Sequence, residues 1–490
     1  MKKTIFTIIA AAFVFLPAIS RAQFSSETNS IFYHSIRAPQ SLDENPSLYP
    51  AATTFFITLP KVGLAFNSPL AISDMLSHTP GDTVSYINID SISSKLSKNN
   101  KLRLGIDIDV IGFGFKIGNT FATASVKVKN ATSIGIPIEA FNFLTQGNID
   151  DNGDPISSVT ILDGQLFSTQ AYTESAIGIG HNFTELGLTV GGKLKLYNGL
   201  ANVSTAKTHI ALETDPNMED MTLKAYYELN VASIVKFEKT NEGIKTNIPK
   251  SIGELFPKSM GIGFDLGAKY KIGPVSVSAS LIDLSQGIHW TQNTYTLKPQ
   301  SGEQSFTFSG LDFETSGLLN GNGMNFDTIT NLFNSQIDSL KNYDIIEGAD
   351  YWYSLPTKIN LGASISFLRI CRAGILLHGQ WDRGLLTTKK ALDYNNQNFR
   401  FNTTLSASVN LKNWFEVTVA NGFVSDSKKF AILNPGIGMI FTPATAVQIY
   451  VMADYISSIY LVDAKAFNLQ LGLNLIFGNR EAKKLLTNAL

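Results

Sequence analysis

The sequence holds a single cysteine, Cys371, so no intrachain disulfide and no cysteine metal cluster can form. It is poor in charge: Asp, Glu, Lys and Arg make up 16 % of the residues and the formal net charge is −1. That balance leaves no basic face for nucleic acid. Beyond residue 22 no apolar run is long enough for a membrane-spanning helix. The histidines, His34, His78, His181, His209, His289 and His378, are scattered without ligand spacing. No HExxH pair exists, so neither a metal nor any other cofactor is implied. No Gly-x-Ser-x-Gly elbow supports a serine hydrolase. Gly112-Phe113-Gly114 and Gly261-Ile262-Gly263 superficially match nucleotide loops, but both fall inside alternating stretches, where small inward-facing residues are the simpler reading. Asp150-Asp151-Asn152-Gly153-Asp154 lacks the later glutamate of a calcium loop and reads as a tight turn. The chain is read as a non-enzyme.

What the sequence has instead is alternation. From 467 to 477 it reads FNLQLGLNLIF: Phe467, Leu469, Leu471, Leu473, Leu475 and Phe477 share one parity, Asn468, Gln470, Gly472 and Asn474 the other. That is a strand with one apolar and one polar face. Ten steps of about 3.3 Å, tilted by about 40°, span roughly 25 Å, the height of the lipid-facing band of an outer-membrane barrel, with an aromatic at each end. The pattern recurs along the chain, and Arg103, Asp107, Asp109, Lys127, Lys129, Lys193 and Lys195 all lie on polar parities. So do Asp265, Lys269, Lys358, Arg372, Glu416 and Asp454. A lysine or arginine facing mid-bilayer lipid costs about 2–4 kcal/mol, so a membrane barrel must sort its charges in this way. The parity slips at Val110-Ile111, which predicts a bulge.

Short connections alternate with long ones wherever both flanking strands can be assigned, as in barrels with short periplasmic turns and long outer loops. The expectation is an all-β, antiparallel, up-and-down transmembrane barrel of about fourteen to sixteen strands over residues 53–477. Met221, Leu223, Ala225, Tyr227 and Leu229 are counted among its strands. Residues 1–22 read as a signal peptide: Lys2 and Lys3, an apolar stretch, then Ser20 and Ala22 before a cleavage point. Residues 23–52 have no strand pattern but carry Ile31, Phe32, Tyr33, Leu42, Leu48 and Tyr49 as apolar anchors. A barrel this wide has an interior that wall side chains cannot fill, so the segment is expected inside as a plug. Helices are expected in two outer loops, over 328–342 and, less regularly, 139–144, and residues 478–490 form a periplasmic tail.

Several short motifs, taken in order, resemble one family. They are Asn45-Pro46-Ser47, Leu59-Pro60, Phe66-Asn67-Ser68, the run from Tyr172 through Gly178, Gly191-Gly192-Lys193-Leu194-Lys195, Gln448-Ile449-Tyr450, and the ending from Gly472 through Gly478. The family is an uncharacterised set of Bacteroidetes outer-membrane barrels, filed as a domain of unknown function. It is similar in layout to the long-chain fatty-acid transporter (FadL) type. In that type an Asn-Pro-Ala stretch lies in the lumenal plug; here Asn45 and Pro46 match it and Ser47 replaces the alanine. Nothing matches a fatty-acid site, so the resemblance implies architecture and outer-membrane location, not cargo. It also implies that barrel-assembly machinery reads the last strand, Phe467, Leu469, Leu471, Leu473, Leu475 and Phe477.

The leading expectation is a porin-like channel of a Gram-negative outer membrane for passive uptake of small molecules, hydrophobic ones included. Its lumen-lining candidates are Arg372, His378, Gln380, Asn468, Gln470 and Asn474. The alternative is a structural barrel whose outer loops dock a protein partner. Expected partners are therefore outer-membrane lipid, the assembly machinery, a small-molecule substrate and a protein at the outer loops, and no nucleic acid.

Overall fold

The computed structural model describes residues 30–478 except 79–84, 97–99, 148–149, 151–153, 155, 165, 217–219, 241–242, 248–257, 301, 309–342, 369, 387–398, 412–413, 427–428, 444–445 and 459. The expected signal peptide, the helix at 328–342 and the tail beyond 478 lie outside the described residues. Among the described residues no helix is long and apolar enough to cross a membrane.

Fourteen antiparallel strands close into one barrel. β1 comes in two pieces, Phe55–Thr58 and Lys61–Asn67. It is followed by β2 (Asn100–Ile117), β3 (Thr120–Ile136), β4 (Phe167–Phe183) and β5 (Leu188–Thr214). Then come β6 (Met260–Ile272), β7 (Val275–Ser285), β8 (Thr357–Phe367), β9 (Cys371–Trp381) and β10 (Phe399–Leu411). The wall ends with β11 (Phe415–Asp426), β12 (Lys429–Phe441), β13 (Val447–Asp454) and β14 (Ala466–Phe477). Each strand pairs with the next, and β14 returns to β1, with Phe55 opposite Phe477 and Phe66 opposite Phe467. Closure leaves no exposed sheet edge, the condition for β-structure in lipid.

The two faces of the wall are inverted relative to a water-soluble sheet. On β14 Leu469 and Leu471 are 43 % and 58 % exposed, whereas Asn468, Gln470 and Asn474 are 2 %, 8 % and 0 % exposed. The same holds around the ring: Ile177, Leu194, Ile262, Leu361 and Val419 face outward while Glu174, Lys195, Asp265, Asn360 and Glu416 are buried inward. An apolar exterior over a polar interior is the arrangement that a bilayer, not water, stabilises. Aromatic pairs mark both rims: Phe55 stacks on Phe477 at 5.8 Å at the turn end, and Phe66 on Phe467 at 5.3 Å at the loop end.

The predicted bulge is present, as a register shift between Asp109 and Ile111 on the β2–β3 pair. It has a companion. Thr58 faces Asn474 while Val62 faces Leu471, so Leu59-Pro60 adds one residue to β1 relative to β14. Proline cannot donate to the ladder, and a bulge is where a wall strand tolerates it.

The upper strand count does not hold, for a topological reason. β5 pairs with β6 only from Leu188 to Asn198; above that, its partner is the strand Met221–Ser233. The 221–229 alternation therefore belongs to a sheet stacked on the rim above β6, not to the wall. That outer sheet continues through Thr294–Pro299, Gln304–Phe308 and Tyr343–Glu347.

The loop end also carries short helices. α3 (Ile72–Met75), α4 (Ile89–Lys95) and α5 (Ile138–Gln146) enclose a small core of Leu70, Ile92 and Leu96. Asn88 starts α4 by accepting the Ser91 amide proton at 2.9 Å, as an N-cap residue does. α5 spans the stretch 139–144, where the sequence carries a less regular helical pattern. Asp74 of the first loop accepts from Lys95 at 2.6 Å and from Lys465 at 2.7 Å, tying that loop to the last one.

Candidate functional site

Inside the wall lie residues 30–50, folded through α1 (Ser30–Tyr33) and α2 (Ser41–Glu44). Three apolar anchors set the segment down, one of them Leu42 against Phe56 and Phe121. Ile31, Phe32 and Ala38 pack against Ala420, Ile440, Tyr450 and Met452, with Phe32 edge-on to Tyr450 at 5.4 Å. Tyr33 and Leu48 pack on Leu376. These apolar residues on otherwise polar wall faces are explained by what covers them.

Polar contacts fix the rest. Arg372 donates to the His34 carbonyl at 2.9 Å, and Ser280 and Asn360 donate to the Glu44 carbonyl at 2.5 and 2.8 Å. Gln40 and Asn474 exchange amide hydrogen bonds at 3.0 and 3.1 Å. Asn45 donates to the Tyr33 hydroxyl and the Ala279 carbonyl, each at 3.2 Å, and accepts from the Ser47 amide at 3.0 Å. Pro46 passes so close to β5 and β6 that only glycine fits opposite: a Cβ on Gly191 would sit 2.3 Å from the Pro46 carbonyl oxygen, and one on Gly267 2.1 Å from Asn45 Oδ1. Asp43 meets Lys127 at 2.5 Å and Lys193 at 3.5 Å.

Between this segment and the loop end lies a cavity of about 210 Å³. Its floor includes Asp43 and Glu44, and Tyr353, Ser354, Leu355 and Pro356, from the connection into β8, reach over it. That connection is anchored in an aromatic cluster with Tyr172, Tyr197, Ile288, Trp290 and Tyr351, and Tyr351 donates to Asn202 at 2.8 Å. The cavity walls are charged. Lys61 lies 2.8 Å from Asp107 and 3.2 Å from Asp109; Lys129 lies 2.7 Å from Glu174. Lys195 reaches Asp283 at 2.6 Å and Asp265 at 2.8 Å.

The sequence candidates divide in two. Gln380, Asn468 and Gln470 line the cavity. Arg372 and Asn474 face inward but hold residues 30–50. His378 shares a 2.6 Å hydrogen bond with Asn360, the residue that grips Glu44. Asn45 and Pro46 are at the closest approach of segment and wall. Leu469, Leu471 and Phe477 face outward, as their parity requires, with Phe467, Leu473 and Leu475 half-buried among their neighbours. Sequence reasoning placed Arg103 on a polar face but did not join it to Asp382 and Arg400, which it meets from two strands and a turn: Asp382 lies 2.5 Å from Arg400 and 3.3 Å from Arg103.

A model for a family of unknown function, DUF5723, matches residues 46–454. The chain belongs to that family. DUF5723 thus covers the wall from the Pro46 contact to the end of β13. No curated protein matches the chain. Among solved structures, it is similar to the Pseudomonas putida toluene transporter TodX, at 10 % identity and a TM-score of 0.40, over 90 % of this chain and 95 % of that one. It is also similar to a Pseudomonas aeruginosa FadL homologue, at 8 % identity and a TM-score of 0.41, over 93 % and 99 % of the two chains. Likenesses this weak carry no argument about the role of this DUF5723 member.

Proposed function

We propose that this chain is a channel in the outer membrane of a Gram-negative cell, for passive uptake of small molecules, with residues 30–50 as its lumenal plug. The observation that carries the reading is a closed wall with an apolar exterior, a polar lumen and a cavity set between an inserted segment and the loop end. In this reading the loop end faces outward, the turns face the periplasm, and the last strand through Phe477 serves as the assembly signal. Gln380, Asn468 and Gln470 border the path; Arg372, His378, Asn474, Asn45 and Pro46 hold the plug. The sequence leaves both hydrophobic and polar solutes open. A second reading, a barrel whose outer loops dock a protein, draws on the outer sheet above β6, which extends β5 well past the wall. Deleting residues 25–47 tests the first. An assembled deletion variant should conduct more and admit bulky antibiotics. Unchanged conductance and unchanged drug exclusion would refute the plug, and stoichiometric co-purification of a partner with a non-conducting wild type would favour the second reading.

A further inference from the structure

Two side chains that border the cavity each keep an enclosed oxygen without a hydrogen-bond partner among the described residues: Asp107 Oδ1 on β2 and Gln170 Oε1 on β4. Both atoms are acceptors. Gln170 is 5 % exposed, and its Nε2 donates to the carbonyl of Ser354, which reaches over the cavity, at 3.5 Å. Asp107 gives its other oxygen to Lys61 at 2.8 Å. The register sets the separation of the two. Asp107 lies opposite Lys129, Lys129 lies opposite Tyr172, and Gln170 is two residues further along β4. Two strand spacings and two residue steps amount to roughly 12 Å. The row that ends at Gln170 is otherwise small: Ala65, Gly105 and Ala131 follow one another across β1, β2 and β3. All three line the cavity, as does Tyr172. A recess floored by small residues therefore runs between two buried acceptors.

Buried acceptors left unpaired are unfavourable, so an occupant that fits this recess brings donors. The ion pairs beside it decide which donors. Lys61 is engaged by Asp107 and Asp109, and Lys129 lies 2.7 Å from Glu174. A charged solute would compete with a partner already in place. A hydroxyl both donates and accepts, so it can bridge such a pair without separating it. A hydrocarbon brings no donor at all. Resting on the channel reading, we propose that the recess binds small neutral polyhydroxylated solutes, of monosaccharide to disaccharide size. Asp107 and Gln170 accept from hydroxyls at its two ends, and the apolar body of the Tyr172 ring packs against the C–H face of the sugar. Gly105 and Ala131 provide the room between them.

The test uses the full mature chain and two variants, each shown to be assembled by heat-modifiability. In detergent, calorimetry should detect maltose binding. It should weaken about tenfold in Gln170→Leu, which keeps the volume and removes the acceptor. It should be lost in Ala131→Phe, which fills the recess and leaves both acceptors in place. In proteoliposomes, swelling in maltose should slow in the same two variants. Absence of maltose binding overturns the proposal, as does equal binding by wild type and both variants. Binding of choline, succinate or toluene in place of maltose overturns it too. Maltose binding without swelling, in wild type and in the variant lacking residues 25–47, sinks the channel reading and leaves the sugar site standing. Swelling without maltose binding does the reverse.

Discussion

Gly191 and Gly192 are neighbours on β5 whose replacement should have opposite consequences. A Cβ at 191 would stand 2.3 Å from the Pro46 carbonyl oxygen and 2.6 Å from its carbonyl carbon. At 192 the nearest atoms are the Asp265 carbonyl oxygen at 3.5 Å and a Leu266 methyl at 3.8 Å, ordinary van der Waals contacts. β5 cannot retreat, because Gly191 sits in register with Gly180 of β4 and Gly267 of β6. Pro46 can move only if Asn45 moves with it, and Asn45 is tied to Tyr33, Ala279 and Ser47. Gly191→Ala is therefore an overpacking change that costs about 1–3 kcal/mol. If the plug yields before the wall, the ratio of docked to displaced plug falls roughly 5- to 150-fold. Gly192→Ala carries no such term. Heat-modifiability on gels first establishes that both variants are assembled. Single-channel conductance and sensitivity to bulky antibiotics then report the plug: Gly191→Ala should be leakier, Gly192→Ala like wild type. Two assembled variants with equal permeability would mean that the segment at Pro46 does not obstruct the lumen.

Four further outcomes follow from other parts of the molecule. Leu471→Arg, at mid-height on the outward face, should cost about 2–4 kcal/mol and sharply reduce membrane assembly, whereas Gln470→Arg, which enters the polar lumen, should be tolerated; equal heat-modifiable fractions would contradict the assigned faces. An epitope inserted at Gly302, in the outer sheet, should be labelled on intact cells and one at Gly273, between β6 and β7, should not; the reverse pattern would invert the orientation. Burial alone would raise the Asp74 carboxyl, but hydrogen bonds from Lys465, Lys95 and the Ala71 amide outweigh it and hold the group down to about 2, below its ordinary 3.8. A depressed carboxylate stabilises above its unfolded value and loses that contribution as pH falls through the folded one. The α3–α4 loop should thus become protease-sensitive as pH drops from about 4 to about 2, and Asp74→Asn should be sensitive already at neutral pH; identical digestion of both proteins at pH 7 would exclude the tie. Finally, Phe477→Ala should impair assembly while removal of residues 479–490 should not, measured by the folded fraction in isolated membranes.

Much of the wall was legible because a membrane barrel writes its faces into parity. The last strand, the sorted charges and the bulge at Val110-Ile111 could all be read off the chain, since each depends only on which side of the sheet a residue points to. Height along the barrel axis leaves no such trace. Met221 to Leu229 alternates as a wall strand does, yet it lies in the outer sheet, because alternation reports one covered face and not the depth at which the strand sits. The same blindness split the lumenal candidates. Arg372, Asn474 and Gln470 share a parity class, and only the path of residues 30–50 decides which of them grips the segment and which borders the cavity. Arg103, Asp382 and Arg400 are brought together by strand stagger and by a turn, so no spacing in the sequence announces them. The roof at Tyr353 to Pro356 carries no periodic signal.

The way residues 30–50 are held bears on how they could move. Arg372, Ser280, Asn360 and Gln448 all aim donors at backbone carbonyls of the segment, those of His34, Glu44 and Arg37. The wall thereby recognises the path of the chain as well as its side chains. Each such bond contributes a net of only about 0.5–1.5 kcal/mol, because water in an opened lumen would replace it. The apolar anchors at Ile31, Phe32 and Tyr33 have no such substitute, and Asp43 is what lies opposite Lys127 and Lys193. Displacement should therefore be resisted by α1, by Leu42 against Phe56 and Phe121, and by the Asp43 ion pairs. A segment docked in this way is fixed in place at rest and still separable from the wall without unfolding any strand of it.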